Sequence, residues 1–412
     1  MRILMVSQYY RPEGAHVVNE LAETLAERGH EVVVLTGFPN YPAGVLFEGY
    51  RQSWRSVESD GAVTVRRVPL VTSHSSNPLG RILNYASFAL STLTASGLAR
   101  RADVVYVYAT QMTAALAPAI WRAFGGAPYV LHVQDLWPES ITESGMLPPA
   151  VSKTVERSLS GWLRWTYQRA AATIAIAPTM LRTLRTRGVP RDRGHVVFNW
   201  GRRIADPTDP AAGGETGENE ADGVGLDVMY AGTLGDLQDL DTAIHAAHLA
   251  SDLEGFTLHI VGGGLAEPRL RRLAEELGTT NVRFHGLVPS DRMAAMYRRS
   301  HFQLVPLRDI EIFRGTIPSK FQASMSLGIP VVTTVAGDLT EIVRTNELGF
   351  AARPEDPASL ARAFREAHAA SAEQRSAFAE RALDYYDKTM TRETSTARIE
   401  QILATAATEG TR

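Results

Sequence analysis

The run Thr316-Ile317-Pro318-Ser319-Lys320 sets a proline where the first turn of a helix accepts one and puts a lysine just behind it. An ammonium there adds a point charge to the outward-facing amides and dipole of a helix start, a combination that attracts anions. Upstream, the apolar run Val228 to Tyr230 enters the turn Ala231-Gly232-Thr233-Leu234-Gly235, with Gln238 following, and Leu258 to Val261 enters Gly262-Gly263-Gly264. Glycines at strand ends let a backbone approach a phosphate closely. Two such turns and a lysine point to a diphosphate ligand. The candidate contacts are Gly232, Thr233, Leu234, Gly235, Gln238, Gly263, Gly264, Thr316 and Ile317, with Lys320 and Arg314 as the charges. Each turn taken singly also reads as an ordinary strand-to-helix connection, since short glycine motifs are weakly specific.

The first half of the chain offers a matching pair of strand ends. Tyr10-Arg11-Pro12-Glu13-Gly14-Ala15 joins a first strand to its helix, with Gly14 and Ala15 at the helix mouth. His132-Val133-Gln134-Asp135-Leu136-Trp137-Pro138-Glu139 ends another strand at the same sheet edge, where Asp135 and Glu139 suit the holding of hydroxyls or proton removal. Glu139 also reads as a plain loop carboxylate. Asp239-Leu240-Asp241 has the look of a metal-binding pair, but acids at a helix start are favoured by the dipole alone, so no metal is assigned. No histidine pair has metal spacing and no G-x-S-x-G elbow is present.

The elements that must carry these residues are legible from periodicity. Ile3 to Val6 precedes Val17, Leu21 and Leu25 at helical spacing, and Val32 to Leu35 follows Gly29. Val63 to Val68, Val104 to Val107, Tyr129 to Val133 and Thr173 to Ile176 continue the series. After the Pro-, Gly- and acid-rich stretch 205–225, too polar to bury a core, the alternation resumes with strands at 228–230, 258–261, 282–284, 302–305 and 331–333. Continuous Val, Ile and Leu runs separated by helices predict parallel sheets covered on both faces. The expected organisation is an α/β chain of two doubly wound domains: 1–199, a linker at 200–226, 227–385, and a terminal helix at 386–412 packing back toward the first domain. A ligand crevice is expected outside the carboxyl ends of the strands.

Bulk properties narrow the function classes. The chain has 412 residues, which exceeds what one core usually supports, and a formal charge of -3 with mixed signs, which excludes a nucleic-acid footprint. Absence of cysteine excludes disulfides, thiolate metal sites and a cysteine nucleophile, and fits a reducing cytoplasm. No apolar run reaches the length of a membrane span. Trp162-Leu163-Arg164-Trp165-Thr166-Tyr167-Gln168-Arg169, and a mildly apolar helix flanked by Arg81, Arg100 and Arg101, are candidates for peripheral contact with the inner face of a membrane, though helices packing on the sheet explain them equally well.

Taken together, these residues resemble the family 4 glycosyltransferases of the GT-B fold, most closely the branch of L-fucosamine and related amino-sugar transferases. The segments that carry the resemblance are 8–14, Thr36-Gly37-Phe38-Pro39-Asn40-Tyr41-Pro42, Asp135-Leu136-Trp137-Pro138-Glu139-Ser140, 231–235 with Gln238, 313–315, 318–320 and 326–332. The resemblance implies two Rossmann-like domains facing a central cleft. It further implies a UDP- or GDP-sugar donor held mainly by the second domain, and a small-molecule or lipid-linked acceptor held mainly by the first, where Asn40, Tyr41 and Glu139 are expected. Transfer would proceed with retention, without cofactor or metal. The nucleobase is expected against the backbone near His285-Gly286-Leu287-Val288, and Asp135, Arg314 and Lys320 are the catalytic candidates.

This sequence departs from the family pattern at three places. Thr233 and Gln238 stand where the glycine turn commonly holds Arg and Lys, leaving the diphosphate charge to Lys320 and Arg314. Gly315 and Ala323, with Gln322 adjacent, replace a pair of glutamates, and Gln134 replaces a histidine before the loop aspartate. The Ala- and Arg-rich composition also admits a natural-product pathway with a small soluble acceptor. Two other classes share the fold features: a sugar-nucleotide epimerase or hydrolase, and a nucleotide-sugar sensor without turnover.

Overall fold

The computed structural model describes residues 1–54, 56–73, 78–137, 149–201 and 225–410. It divides into two compact units, unit 1 from Met1–Asn199 with Arg392–Arg412 and unit 2 from Trp200–Thr391. The linker expected at 200–226 falls largely outside the described residues, and Leu226 already belongs to a strand.

Unit 1 is an eight-stranded sheet in the order β3-β4-β2-β1-β5-β6-β7-β8. Its strands are β1 (Arg2–Val6), β2 (Glu31–Gly37), β3 (Ser56–Asp60), β4 (Val63–Val68), β5 (Val104–Ala109), β6 (Tyr129–Val133), β7 (Ala172–Ala175) and β8 (Gly194–Val196). Every pairing is parallel except β3 with β4. The interleaved helices are α1 (His16–Glu27), α2 (Pro78–Leu93), α3 (Ser96–Ala99), α4 (Leu116–Ala123), α5 (Pro149–Arg169) and α6 (Pro178–Thr186). Val17, Val18, Leu21, Ala22 and Leu25 form the buried stripe of α1, and β5 is buried along its whole length, as a strand covered on both faces must be. In α5, Leu163, Thr166 and Tyr167 are buried and Arg169 lies over the Trp165 ring at 4.8 Å, so much of that aromatic run packs within unit 1.

Unit 2 is a six-stranded parallel sheet ordered β11-β10-β9-β12-β13-β14. Its strands are β9 (Leu226–Ala231), β10 (Phe256–Val261), β11 (Val282–Gly286), β12 (Phe302–Val305), β13 (Val331–Thr333) and β14 (Gly349–Ala351). The helices are α7 (Leu240–Leu249), α8 (Glu267–Glu276), α9 (Ser290–Arg299), α10 (Ser319–Ser326), α11 (Asp338–Thr345), α12 (Pro357–Ala369) and α13 (Ala372–Thr389). Leu226, Val228 and Tyr230 of β9 enter one core cluster while Met229 and Ala231 enter another, which explains the continuous apolar run from Val228 to Ala231. The strand order reverses between β9 and β12, so the turn after Ala231 lies at the topological switch point, where open α/β sheets bind ligands.

Three strands escape the periodicity reading. β3 is an antiparallel edge strand whose residues are polar or half-exposed, and β8 and β14 span three residues each, too few to show a period. The second-domain boundary expected at 385 falls inside α13, which runs to Thr389 and packs Tyr385 against Phe321 at 6.4 Å, so unit 2 extends to Thr391. The last helix, α14 (Arg392–Gly410), belongs to unit 1. Arg392 donates to Thr24 Oγ1 at 2.7 Å and to the Glu20 carbonyl at 3.1 Å, and Glu400 takes Arg28 at 2.6 Å and His30 at 2.7 Å, tying the chain end to α1 and the start of β2. Among the described residues no helix is long and apolar enough to cross a membrane.

His132 on β6 is fully buried and pairs through Nδ1 with the Tyr106 hydroxyl at 2.6 Å; burial lowers its pKa to about 3. The unfolded chain therefore takes up a proton near pH 6.5 that the folded chain refuses. This contribution to stability is complete above that pH and is lost as pH falls toward 3. Urea unfolding between pH 7 and pH 4 should show a slope about 1.4 kcal/mol per pH unit steeper in the wild type than in His132→Gln. Equal slopes would place the refused proton elsewhere.

Candidate functional site

The two glycine turns of unit 2 are locked together backbone against backbone. Gly232 donates its amide to Val261 O at 2.9 Å, Leu234 to Gly263 O at 3.0 Å and Ala266 to Leu234 O at 3.0 Å, while Gly262 N turns the other way, to Gly286 O at the end of β11 at 2.7 Å. A β-carbon on Gly262 would stand 1.9 Å from Gly232 O, and one on Gly264 would stand 2.3 Å from Leu234 O. Gly232 and Gly262 also take φ of 153° and 129°, where side chains are rarely accommodated. No other residue fits this contact.

That lock decides which amides remain for a ligand. Those of Gly232 and Leu234 are consumed within the sheet edge, and Leu234 is buried, which corrects the expectation that they face an anion. The amides of Thr233, Gly235, Gly263 and Gly264 donate to no other described residue. Gln238 folds over Gly235, where a β-carbon would meet its Oε1 at 2.7 Å, and Leu287 lies exposed beside Gly263.

Lys320 arrives from the first turn of α10, behind Pro318 as its N-cap. A β-carbon on Gly232 would sit 2.9 Å from Lys320 Nζ, so the ammonium rests over the bare α-carbon of the turn. It also sits 5.1 Å from the ring centre of Tyr230. It makes no ion pair with a described residue, and burial lowers its pKa. A partly desolvated cation with no ionic partner among the described residues, beside uncommitted amides, has the chemistry to attract an anion. Nearby, the Ile317 side chain is buried, and Thr316 N donates to Phe313 O at 3.0 Å.

Arg314 behaves differently from its expected role. Its guanidinium forms a fork on Asp309, at 3.1 and 3.2 Å from Nη2 to the two carboxylate oxygens, with the side chain about half exposed at 51%. Its charge is already partnered. Asp239 is buried with φ 49° and accepts from Thr242 Oγ1 at 2.9 Å, whereas Asp241 pairs with Arg269, so these carboxylates are committed separately. Among the described residues no cluster of three or more metal-ligating side chains exists. Arg308 is a residue that motif reading passes over. Its amide donates to Leu237 O at 3.0 Å and its Nε to Asp236 O at 2.8 Å, bracing the segment between the turn and α7.

In unit 1, Glu13 organises the corresponding strand ends. It is buried, and its Oε1 accepts the amides of Asn40 at 2.9 Å and Tyr41 at 2.8 Å. Burial raises its pKa, and Oε2 has no partner. Ala15 donates its amide to Glu13 O at 2.8 Å, leaving Gly14 as the uncommitted amide at the mouth of α1. Behind Asn40 runs a buried relay: Asn84 Nδ2 to Asn40 Oδ1 at 3.5 Å, Gln8 Nε2 to Asn84 Oδ1 at 2.5 Å, then Gln111 to Gln8 and Thr110 to Gln111. Tyr41 is exposed and packs its ring 5.3 Å from Tyr9. Asp135 is solvent-accessible but ringed by protein, and that desolvation raises its pKa. Glu139 lies outside the described residues. The structure thus places Asn40 and Tyr41 together through Glu13, a residue whose position inside the segment 8–14 was its only signal.

Comparison with known proteins agrees in both halves. Residues 14–200 match the family model described as a glycosyl transferase 4-like domain, and residues 225–369 match glycosyl transferases group 1. The chain is 27% identical over 383 residues to the colanic acid biosynthesis glycosyl transferase WcaI of Escherichia coli (strain K12), covering 89% of this chain and 92% of that one. Among solved structures, Anabaena Alr3699/HepE in complex with UDP and glucose aligns with a TM-score of 0.62 at 17% identity, over 98% of this chain and 99% of that chain. WaaG, a glycosyltransferase involved in lipopolysaccharide biosynthesis, gives the same TM-score, identity and coverages.

Gly262→Ala should destabilise unit 2 by about 2 to 3 kcal/mol, because the new methyl group meets a carbonyl and adopts an unfavourable φ. Gly278→Ala has positive φ but open space around it, and should cost only about 1 kcal/mol. Urea unfolding separates the two; equal losses would mean that the turns are not held in contact.

Proposed function

The chain is a glycosyltransferase with a glycosyl transferase 4-like domain followed by a group 1 domain, and we propose that it moves a sugar from a UDP- or GDP-sugar to a hydroxyl of a lipid-linked saccharide. The observation that carries the donor half is the Lys320 ammonium over Gly232, which pairs with no described carboxylate, beside the amides of Thr233, Gly235, Gly263 and Gly264, which donate to no described residue. Such a cradle suits a diphosphate, whose charge grows as the sugar leaves. Preorganised amides and a cation stabilise that developing charge without reorganisation, often the largest catalytic contribution. Exposed Leu287 beside Gly263 offers an apolar surface to the base or ribose.

The transfer we propose retains configuration. The bond from the anomeric carbon to the phosphate oxygen breaks, the acceptor oxygen bonds on the same face, and the acceptor proton passes to the departing phosphate. Lys320 neutralises the leaving group in place of a metal ion. Arg314 contributes only after exchanging Asp309 for the phosphate. On unit 1, Gly14 meets the donor, while Asn40, Tyr41, Asp135 and Glu139 hold the acceptor. Assignment of the acceptor to envelope polysaccharide assembly, on the cytoplasmic face of the membrane, is supported by the name of the relative WcaI. An amino sugar of the L-fucosamine type is the donor sugar most in keeping with the segments at 36–42 and 135–140.

A thermal-shift panel of nucleotide sugars tests the donor: one bound at a hundred times its dissociation constant should add about 2.7 kcal/mol of stability. No shift with any UDP or GDP compound would contradict the donor reading, and turnover only with a water-soluble aglycone would move the acceptor to a small molecule. Lys320→Ala should cost about 2 to 4 kcal/mol of transition-state stabilisation, measured as a fall in kcat. EDTA should leave the wild-type rate unchanged.

A further inference from the structure

Tyr230 is the last residue but one of β9, buried, and belongs to the same core as Leu234. Its hydroxyl donates to the Thr233 carbonyl at 2.6 Å, and its ring lies under Lys320 Nζ at 5.1 Å. Two neighbouring bonds show what the hydroxyl does. Leu234 N reaches Gly263 O and Gly232 N reaches Val261 O, so the Thr233–Leu234 peptide is fixed at both its carbonyl and its amide, and the peptide before Gly232 is fixed as well. Between them stands the Gly232–Thr233 peptide, which carries the uncommitted Thr233 N–H.

Resting on the donor reading above, we infer that Tyr230 is the positioning residue of the anion site. Its ring seats the Lys320 ammonium and its hydroxyl orients the glycine turn, so that ammonium and Thr233 amide address one diphosphate. The ring's negative face favours a cation, while the bare α-carbon of Gly232 leaves room for a compact head group. An ammonium fits this space where a planar guanidinium, which demands a fork of partners, does not. The composition points the same way. Of the 42 basic residues only Lys153, Lys320 and Lys388 are lysines, the others being arginine, so lysine is the exception in this chain and one of its three uses is here.

Three lysines also make the test direct. Reductive methylation of the full chain with carbon-13 labels them and the amino terminus, and Lys320→Met identifies the Lys320 signal, so its titration is read by NMR with no ligand present. Tyr230→Leu removes ring and hydroxyl, and should lower the Lys320 midpoint by about half to one pH unit, because the charged form loses its π partner. Tyr230→Phe keeps the ring and should leave that midpoint within about 0.2 units of wild type, while UDP binding by calorimetry weakens about fivefold through loss of the hydroxyl bond. In Tyr230→Leu the alkaline fall of UDP affinity should move down with the lysine. An unchanged Lys320 midpoint in Tyr230→Leu overturns the inference, as does undiminished UDP binding in Tyr230→Phe. Should Lys320→Met bind UDP like wild type, the donor reading fails instead, and the ligand-free titration still decides whether Tyr230 seats the ammonium.

Discussion

Among the described glycines, the closest backbone approach joins the carboxyl ends of β9 and β10. Gly232 O lies where Gly262 would carry its β-carbon, and Leu234 O lies where Gly264 would carry one. Because no side chain separates them, three backbone hydrogen bonds close the gap and turn two loops into one surface. The position of Lys320 follows from it, since the ammonium occupies the space left over Gly232. Rigid backbone and a seated charge are what stabilisation of a departing diphosphate needs, because donors already in place do not reorganise as charge develops.

Unit 1 solves the corresponding problem by another route. Its strand ends are joined by side chains, with Glu13 holding the amides of Asn40 and Tyr41 and a buried chain of Asn40, Asn84, Gln8, Gln111 and Thr110 behind them. Buried amides joined in series are costly when incomplete and rigid when complete. The loop that presents Tyr41 is thus pinned from beneath while the Tyr41 ring itself stays exposed. A surface of hydroxyl and amide groups suits a sugar acceptor, as the ammonium of unit 2 suits a phosphate.

Much of this was legible in the chain. Continuous Val, Ile and Leu runs disclose the parallel strands, and the spacing of the glycines, Pro318 and Lys320 points to residues that the fold gathers at the ends of β9 and β10 and the start of α10. Edge strand β3 was not legible, because a strand with one wet face and no second sheet neighbour carries no apolar run. Nor was the structural use of the Gly232 and Leu234 amides, since a turn's spacing does not say which of its N–H groups a neighbouring loop will take. Arg314 and Lys320 look equivalent in sequence, yet one is paired with Asp309 and the other, among the described residues, meets no carboxylate and lies over the Tyr230 ring.

By itself, then, the sequence determined the order of the main apolar strands and their helices, the two-domain α/β class and the placement of glycines and a lysine at strand and helix ends, because these depend on local periodicity and on backbone conformations available to each residue type. Tertiary structure alone decided which donors and which cation lack a partner among the described residues, and what Tyr230 and Glu13 touch. Those properties arise between residues far apart in the chain, such as Tyr230 with Lys320 or Glu13 with Tyr41, and burial and pairing exist only once folding has brought them together.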